Sequence, residues 1–223
     1  MSYDWEPLWL TLKLATVTTS ILVCVGVPLA YLLAFGRFRL KAVLETLVAM
    51  PLVLPPSVLG FYLLLAFSPK NAFGRFLDEA FGLRLVFSFE GLVVASVLFS
   101  LPFMVHPVQS GFSNTQRSLM EAAYTLGLSR SKTLLLVLLP NMKPALLAGV
   151  VISFAHTIGE FGVVLMMGGS IPGVTKVASI AIYDEVESLN YAAANVYAFV
   201  LFAVSFAILL TVFFVNKRAL RPL

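Results

Sequence analysis

The stretch LWLTLKLATVTTSILVCVGVPLAYLLAF, residues 8–35, carries a single charged side chain, Lys13, in an otherwise uncharged run. A helix needs about 20 apolar residues to cross the hydrocarbon core of a bilayer. The run lacks the strict alternation of a barrel strand, and Asp4 and Glu6 precede it where a cleaved leader has basic residues. We therefore predict that it is a retained membrane-spanning helix.

The rest of the chain has the same character. Of its 223 residues, 60% are hydrophobic and only 12% are charged, a balance that a water-soluble domain of this size does not have. Backbone polar groups in lipid must be satisfied within the chain, so long apolar runs are predicted to be helices. The sequence predicts an all-α polytopic membrane protein, one domain over residues 1–223, with five transmembrane helices at 8–35, 42–67, 91–108, 145–167 and 191–215.

Positive charges are distributed unevenly among the predicted loops. The segments 36–41 and 109–143 and the tail after Val215 hold ten of the 15 Lys and Arg residues, whereas the opposite loops hold four. Because cytoplasmic loops are enriched in Lys and Arg, we predict that the N-terminus is outside and the C-terminus is cytoplasmic.

The cytoplasmic loop 109–143 is predicted to contain two short helices. Ser118 and Glu121 have the spacing of a capping box that opens the first helix, and Gly127 suits the left-handed position that ends it. Ser129 is placed to cap the second helix. A rigid helical element therefore projects on the cytoplasmic side.

This loop also carries a family resemblance. Glu121-Ala122-Ala123, followed by Gly127 and then by Leu139-Pro140, is similar to the EAA loop of ABC importer permeases. In that family a short coupling helix sits in a cleft of the ATPase and transmits its closure to the membrane spans. The resemblance implies a type I importer (MetI-like) permease fold and a location in the cell inner (plasma) membrane. It also implies an ATPase-coupling role for Glu121, Ala122, Ala123, Tyr124, Leu126 and Gly127.

The fourth predicted span places ionisable groups at membrane depth. A charge at the centre of a membrane helix costs on the order of 3 kcal/mol, so Glu160 should face the bundle interior, be paired, or lie near the outer interface. An interhelical hydrogen bond with a purely structural role is the alternative for this residue. The candidate pore or gate residues of this span are Ser153, His156, Thr157, Gly159, Glu160, Phe161 and Gly162.

The second predicted span is interrupted by Pro55 and Pro56. Proline lacks the backbone N–H and clashes with the preceding turn, so a kink is expected there. A kink beside Ser57 could line a pathway, and we include these three residues among the pore or gate candidates. A kink that serves packing alone is the alternative.

The resemblance extends to one branch of the family. Gly159-Glu160-Phe161-Gly162, the sequences SIPG at 170–173 and AIY at 181–183, and LVLPPSV at 52–58 look like the molybdate permeases, whose near neighbours are the sulfate permeases. This resemblance implies molybdate as the cargo, moved by alternating access after delivery by an extracytoplasmic binding protein. Sulfate, thiosulfate and tungstate are the alternatives.

No G-x-x-x-x-G-K-[ST] motif occurs in the chain. The resemblance therefore implies a separate ATPase that binds ATP and Mg²⁺, and no cofactor or metal on this chain. Two ATPase subunits need two coupling loops, which implies a homodimer. The expected partners are an ABC ATPase dimer, an oxyanion-binding protein, a second copy of the chain and the lipid bilayer, with no nucleic acid.

Two other classes of function are disfavoured. His156 and Glu160 at membrane depth prompt the idea of an intramembrane enzyme, but H-E-x-x-H and G-x-S-x-G are both absent, so no catalytic residue is expected. A passive anion channel would have no use for a coupling loop.

Overall fold

The computed structural model describes residues 4–219, and within that range the chain is helical, without strands. The C-terminal end of the basic tail predicted after Val215, residues 220–223, lies outside the described residues. The helices are, in chain order, α1 (Glu6–Phe35), α2 (Lys41–Ala49), α3 (Pro56–Phe67), α4 (Ala72–Phe81), α5 (Phe89–Ser113), α6 (Arg117–Thr125), α7 (Arg130–Thr133), α8 (Leu139–Asn141), α9 (Lys143–Ile158), α10 (Gly162–Gly168), α11 (Ala178–Glu187) and α12 (Tyr191–Ala219). A 3₁₀ turn, Met50–Leu52, follows α2, and a π-helical turn, Leu134–Leu138, joins α7 to α8.

The helices α1, α5 and α9 form the centre of the bundle. α5 packs along both α1 and α9, and the buried cluster between them includes Leu22, Met104 and Phe112. Close approach of α1 to α5 requires Gly26, because a Cβ at that position would lie 2.7 Å from Cγ of Met104. The long helix α12 packs mainly on α9 and α11.

The second apolar run is divided into two helices. Lys41–Leu52 and Pro56–Phe67 meet at an angle of 114°, so the interruption is much sharper than the predicted kink. The cause is local, because Pro55 and Pro56 cannot donate the hydrogen bonds that would continue the helix. Pro55 has extended ψ of 137°, and α3 starts at the next residue.

The fourth apolar run is also divided. α9 ends at Ile158, the chain passes through Gly159, Glu160 and Phe161, and α10 resumes at Gly162. α10 lies against α3, where Gly60 permits the contact: a Cβ there would lie 2.8 Å from Cβ of Met166. Each of these two runs therefore has a break, and the segments after the breaks pack together.

By length and composition alone, three helices can each span a membrane: α1, α5 and the stretch Tyr191–Thr211 of α12. The number rises to five if each of two bent pairs counts as one span, Lys41–Leu52 with Pro56–Phe67 and Arg130–Asn141 with Lys143–Ile158. Five spans and their orientation stay predictions.

The predicted outer loops contain two helices that the sequence patterns did not indicate, α4 and α11. α11 is held against α1, where the backbone N–H of Ala178 donates to Oγ1 of Thr11 at 2.8 Å. The preceding loop is tied to α11 by Lys176, whose Nζ lies 2.9 Å from Asp184 Oδ2. These contacts hold α11 over the end of the bundle close to Glu160.

Candidate functional site

The breaks in the second and fourth apolar runs meet at one cleft. Its volume is about 670 Å³, and it opens between the start of α3, the break after α9, and α5. The close fit depends on Gly162, since a Cβ there would lie 3.0 Å from Cβ of Pro56. The cleft is lined by Pro56, Ser57, Phe99, Ala155, His156, Gly159, Glu160, Phe161 and Gly162.

Glu160 occupies the break itself. The residue is only 4% exposed, and neither carboxyl oxygen has a hydrogen-bond partner among the described residues. The Ser96 hydroxyl of α5 is also buried without a hydrogen-bond partner among the described residues. The backbone carbonyl of Glu160 accepts a bond from Ser179 Oγ at 2.7 Å, which ties the break to α11. A buried carboxyl without a partner is costly, so its environment is one that only a neutral group tolerates well.

His156 is held in the cleft wall by a chain of hydroxyl groups. Its Nδ1 lies 2.9 Å from Ser100 Oγ, which lies 3.1 Å from Thr157 Oγ1, and that hydroxyl donates to the carbonyl of Ser153 at 2.9 Å. The carbonyl of Ser153 can only accept, so the hydroxyl hydrogen of Thr157 points to that carbonyl. In the Ser100–Thr157 contact the donor must therefore be Ser100. The hydrogen between Ser100 and the ring then belongs to Nδ1. The Nε2 atom of a neutral His156 is therefore an acceptor, and it donates to an anion only when the ring is protonated.

Aromatic rings of α5 fix the orientation of the same imidazole. The His156 ring stacks on Phe103 with centroids 4.0 Å apart and 28° between the planes, and it meets Phe99 at 4.8 Å. The sequence did not predict Phe99, Phe103 or Ser100 as site residues. Their spacing on α5 is helical, but the third apolar run offers many such pairs, and only its packing against α9 distinguishes these.

The structure brings most of the predicted pore residues together. Pro56, Ser57, His156, Gly159, Glu160, Phe161 and Gly162 all line the cleft. The other three predicted residues lie elsewhere: Pro55 is exposed at the start of α3, while Ser153 and Thr157 are buried between helices. Among the described residues there is no group of three His, Cys, Asp or Glu side chains that could hold a metal ion.

The second candidate surface is the cytoplasmic loop. α6 starts at Arg117, its N-cap is Gln116, and no side chain caps it, so the predicted capping box of Ser118 and Glu121 is wrong. The box would require Ser118 to stand outside the helix, and it lies within the first turn. Ser129 caps α7 as predicted, accepting from the backbone N–H of Lys132 at 3.4 Å.

The end of α6 is well defined. Gly127 has φ of +77°, as predicted for a left-handed terminator. Its N–H donates to the carbonyl of Tyr124 at 2.9 Å, and that of Leu128 donates to the carbonyl of Ala123 at 3.0 Å, the two bonds of a Schellman motif. This pairing makes the end of α6 rigid.

The side chains of α6 divide into a buried and an exposed set. Ala123 is buried, whereas Glu121, Ala122, Tyr124 and Leu126 are exposed, Leu126 at 81%. An apolar side chain so exposed at the end of a rigid helix is suited to insertion into another protein. Of the six residues of the predicted coupling surface, Glu121, Ala122, Ala123 and Tyr124 therefore lie on α6, and Leu126 and Gly127 form its C-terminal cap.

The chain is similar to known transport proteins over most of its length. The profile of the family described as binding-protein-dependent transport system inner membrane component matches residues 26–222. The chain is 46% identical to the molybdenum transport system permease protein ModB of Azotobacter vinelandii, over 86% of this chain and 85% of that protein. It is 32% identical to the putative molybdenum transport system permease protein YvgM of Bacillus subtilis, over 96% and 93%. It is 34% identical to the sulfate transport system permease protein CysT of Salmonella typhimurium, over 86% and 69%.

The fold is also found among solved structures. A chain of the MetNI methionine ABC transporter, in an inward facing conformation, matches with a TM-score of 0.73 at 18% identity and covers 96% of this chain and 95% of that one. At this level of identity the likeness extends to the fold alone. It confirms the predicted MetI-like helical architecture.

Proposed function

Because the chain belongs to the family of binding-protein-dependent transport system inner membrane components, we propose that it moves molybdate through the cleft at its two helix breaks. The chain is the membrane subunit of an ABC importer, and members of this family are not enzymes themselves. ATP and Mg²⁺ are bound by a partner ATPase.

The observation that carries the transport role is the meeting of two interrupted helices. Broken helices free backbone groups inside a membrane, and such groups are tolerated only where protein or a water-filled cavity satisfies them. Many secondary transporters bind their substrates at discontinuous helices of this kind. The cleft beside Glu160 and Ser57 meets this condition.

The coupling surface on α6 gives the ATPase a place to act. Leu126 and Tyr124 project from a helix whose end is rigid, so a movement of the ATPase would pass to α6 without being lost in bending of the chain. Each chain offers one such helix, and an ATPase dimer would engage two. The working unit is therefore a homodimer of this chain, with an oxyanion-binding protein docking on the outer side.

Molybdate is favoured over sulfate by the degree of similarity. Identity to the Azotobacter molybdenum permease is 46%, against 34% to the Salmonella sulfate permease over the same share of this chain. Both anions are tetrahedral dianions, so a sulfate path is the second candidate. The binding protein selects the anion first, so its selectivity decides how strongly the permease itself must distinguish molybdate from sulfate.

The test is uptake by the assembled transporter. The chain, its ATPase and its binding protein are reconstituted in liposomes, and accumulation of molybdate, tungstate and sulfate is measured with ATP present or absent. We expect ATP-dependent accumulation of molybdate, and of tungstate because the two ions are nearly the same size. ATP-dependent uptake of sulfate alone would overturn the molybdate assignment, and ATP-independent leakage of every anion would overturn the importer assignment.

A further inference from the structure

A second hollow adjoins the cleft. It has a volume of about 380 Å³ and is lined by Leu52, Pro102, Phe103, His106, Pro107 and Ile152. His106 is the only polar side chain in this lining, and it is exposed. His106 lies within the third predicted span, 91–108, and an ionisable side chain within a span is expected to face water or protein rather than lipid.

The two hollows share one partition. His156 lines the cleft, Phe103 lines the second hollow, and the two rings are stacked with centroids 4.0 Å apart. On the neighbouring helix the walls are also continuous, since Ile152 of the second hollow lies one turn before His156 on α9. The hollows are therefore successive spaces on the same side of α5.

Both histidines of the chain lie on this route. Along α5, Ser100 bonds His156, and His106 follows six residues later, which corresponds to a rise of about 9 Å towards the C-terminal end of the helix. His156 contacts Ser100 and Phe103, and His106 lies further along α5, so an anion moving along this helix would pass the two imidazoles in sequence.

We infer that the cleft and the second hollow are successive compartments of one oxyanion path, closed here by the stacked rings of His156 and Phe103, with His106 as the anion contact of the second compartment. This inference rests on the proposed transport function and deepens it. Opening requires the two rings to part, either by a shift of Phe103 or by a movement of His156 that breaks its contact with Ser100. Neither ring is covalently or ionically fixed to the other. The imidazole of His106 offers the N–H donor that the surrounding Leu, Pro, Phe and Ile side chains lack.

The first experiment asks whether His106 faces water. The assembled transporter is made with His106→Cys in a Cys24→Ala background and treated in intact membranes with an anionic, water-soluble methanethiosulfonate. Unsubstituted protein is the matched control, because Cys24 is its only cysteine and is exposed on α1. The two positions are at similar distances along their helices: Cys24 lies 18 residues after the start of α1, and His106 lies 17 residues after the start of α5. We expect the thiol at position 106 to react and Cys24 to resist, with both reacting after unfolding in detergent.

A thiol at position 106 that resists as Cys24 does would mean that lipid or a second copy covers the hollow, and the path would be overturned. Protection of that thiol by molybdate in the presence of the binding protein would support an anion in the second compartment.

The second experiment asks whether His106 contacts the anion. Loss of a hydrogen bond to a charged group lowers a rate or affinity by about tenfold or more. We expect molybdate uptake to fall about tenfold in His106→Ala and to recover largely in His106→Gln, which keeps an N–H donor, when uptake is compared at equal amounts of assembled transporter in the membrane. Full uptake by His106→Ala, in a preparation whose unsubstituted form is active, would overturn this contact while leaving the transport function intact.

Discussion

Glu160 has the least favourable environment of any ionisable side chain described in the structure. Its carboxyl is buried at the break between α9 and α10 with no hydrogen-bond partner among the described residues. A negative charge there would be uncompensated in the closed wall. We interpret the residue as a neutral part of the closed wall that meets water only when the cleft opens.

Glu160→Gln tests that interpretation. The amide has the shape of the carboxyl and loses no hydrogen bond, so folding and membrane levels should be unchanged. Uptake of molybdate should fall severalfold, because glutamine cannot ionise when the break opens. Glu90→Gln, at an exposed position in the first turn of α5, is the control and should transport normally. If Glu160→Gln preserves both transport and basal ATP hydrolysis, a gate role for Glu160 is wrong.

Asp184 is a second residue whose ionisation matters, and it lies in an outer segment. Burial raises its pKa, but hydrogen bonds from Lys176 and Ser170 and the charge of Lys176 outweigh this and hold the pKa below the ordinary 3.8. A folded-state pKa below the unfolded one stabilises the protein at pH values above 3.8. That contribution is lost as the pH falls through the lower, folded value.

The thermal unfolding of the protein in detergent should depend on pH through the Lys176–Asp184 ion pair. Between pH 5 and pH 3 the unfolding temperature should fall, and the fall should be smaller in Lys176→Met, which has no charge to hold Asp184 ionised. The pair is partly exposed, so its contribution is about 1 kcal/mol or less. Identical pH profiles for the two proteins would show that the Lys176–Asp184 contact contributes nothing.

At the scale of elements, α6 depends on how it ends. Gly127 has a left-handed backbone, and a Cβ there would meet no atom within 4 Å. Any effect of substitution is therefore conformational and not steric. The Schellman bonds that the glycine permits keep Leu126 at a defined place relative to Tyr124.

Gly127→Ala should weaken coupling. A non-glycine residue in the left-handed region costs about 1–2 kcal/mol, and asparagine tolerates that region better. We expect less ATPase to co-purify with Gly127→Ala and less uptake, while Gly127→Asn stays close to the unsubstituted chain. If Gly127→Asn lost more ATPase binding and uptake than Gly127→Ala, or if the two variants behaved alike, the left-handed end of α6 would have no role in coupling.

The breaks in the second and fourth apolar runs differ in how far the sequence predicts them. Two adjacent prolines make a break at residue 55 a matter of covalent geometry, although its angle of 114° depends on where α3 packs. The break at Glu160 follows from the glycines on either side and from the hydrogen bond that Ser179 donates to the Glu160 carbonyl. That hydrogen bond joins residues 19 apart, and no local pattern predicts it.

At the scale of the whole molecule, orientation is the main prediction. With basic loops at 36–41 and 109–143, an N-terminus outside and a cytoplasmic C-terminus follow from the positive-inside rule. Epitope tags at the two ends, probed in intact spheroplasts and in inverted vesicles, should be accessible from opposite sides, the N-terminal one from outside. Two tags accessible from the same side would exclude five spans, because an odd number of crossings puts the ends on opposite sides.

The sequence by itself determined that the chain is helical and lies in a membrane, because continuous apolar runs leave the backbone no other way to satisfy its polar groups. It also determined where α6 ends and that the second apolar run is interrupted at Pro55 and Pro56, since glycine and proline act through local backbone geometry. Only the tertiary structure decided that the two breaks share one cleft and that His106 continues it beyond the stack of His156 and Phe103. The physical reason is that helices such as α1, α5 and α12 are apolar on every side, so their own patterns do not say which faces meet.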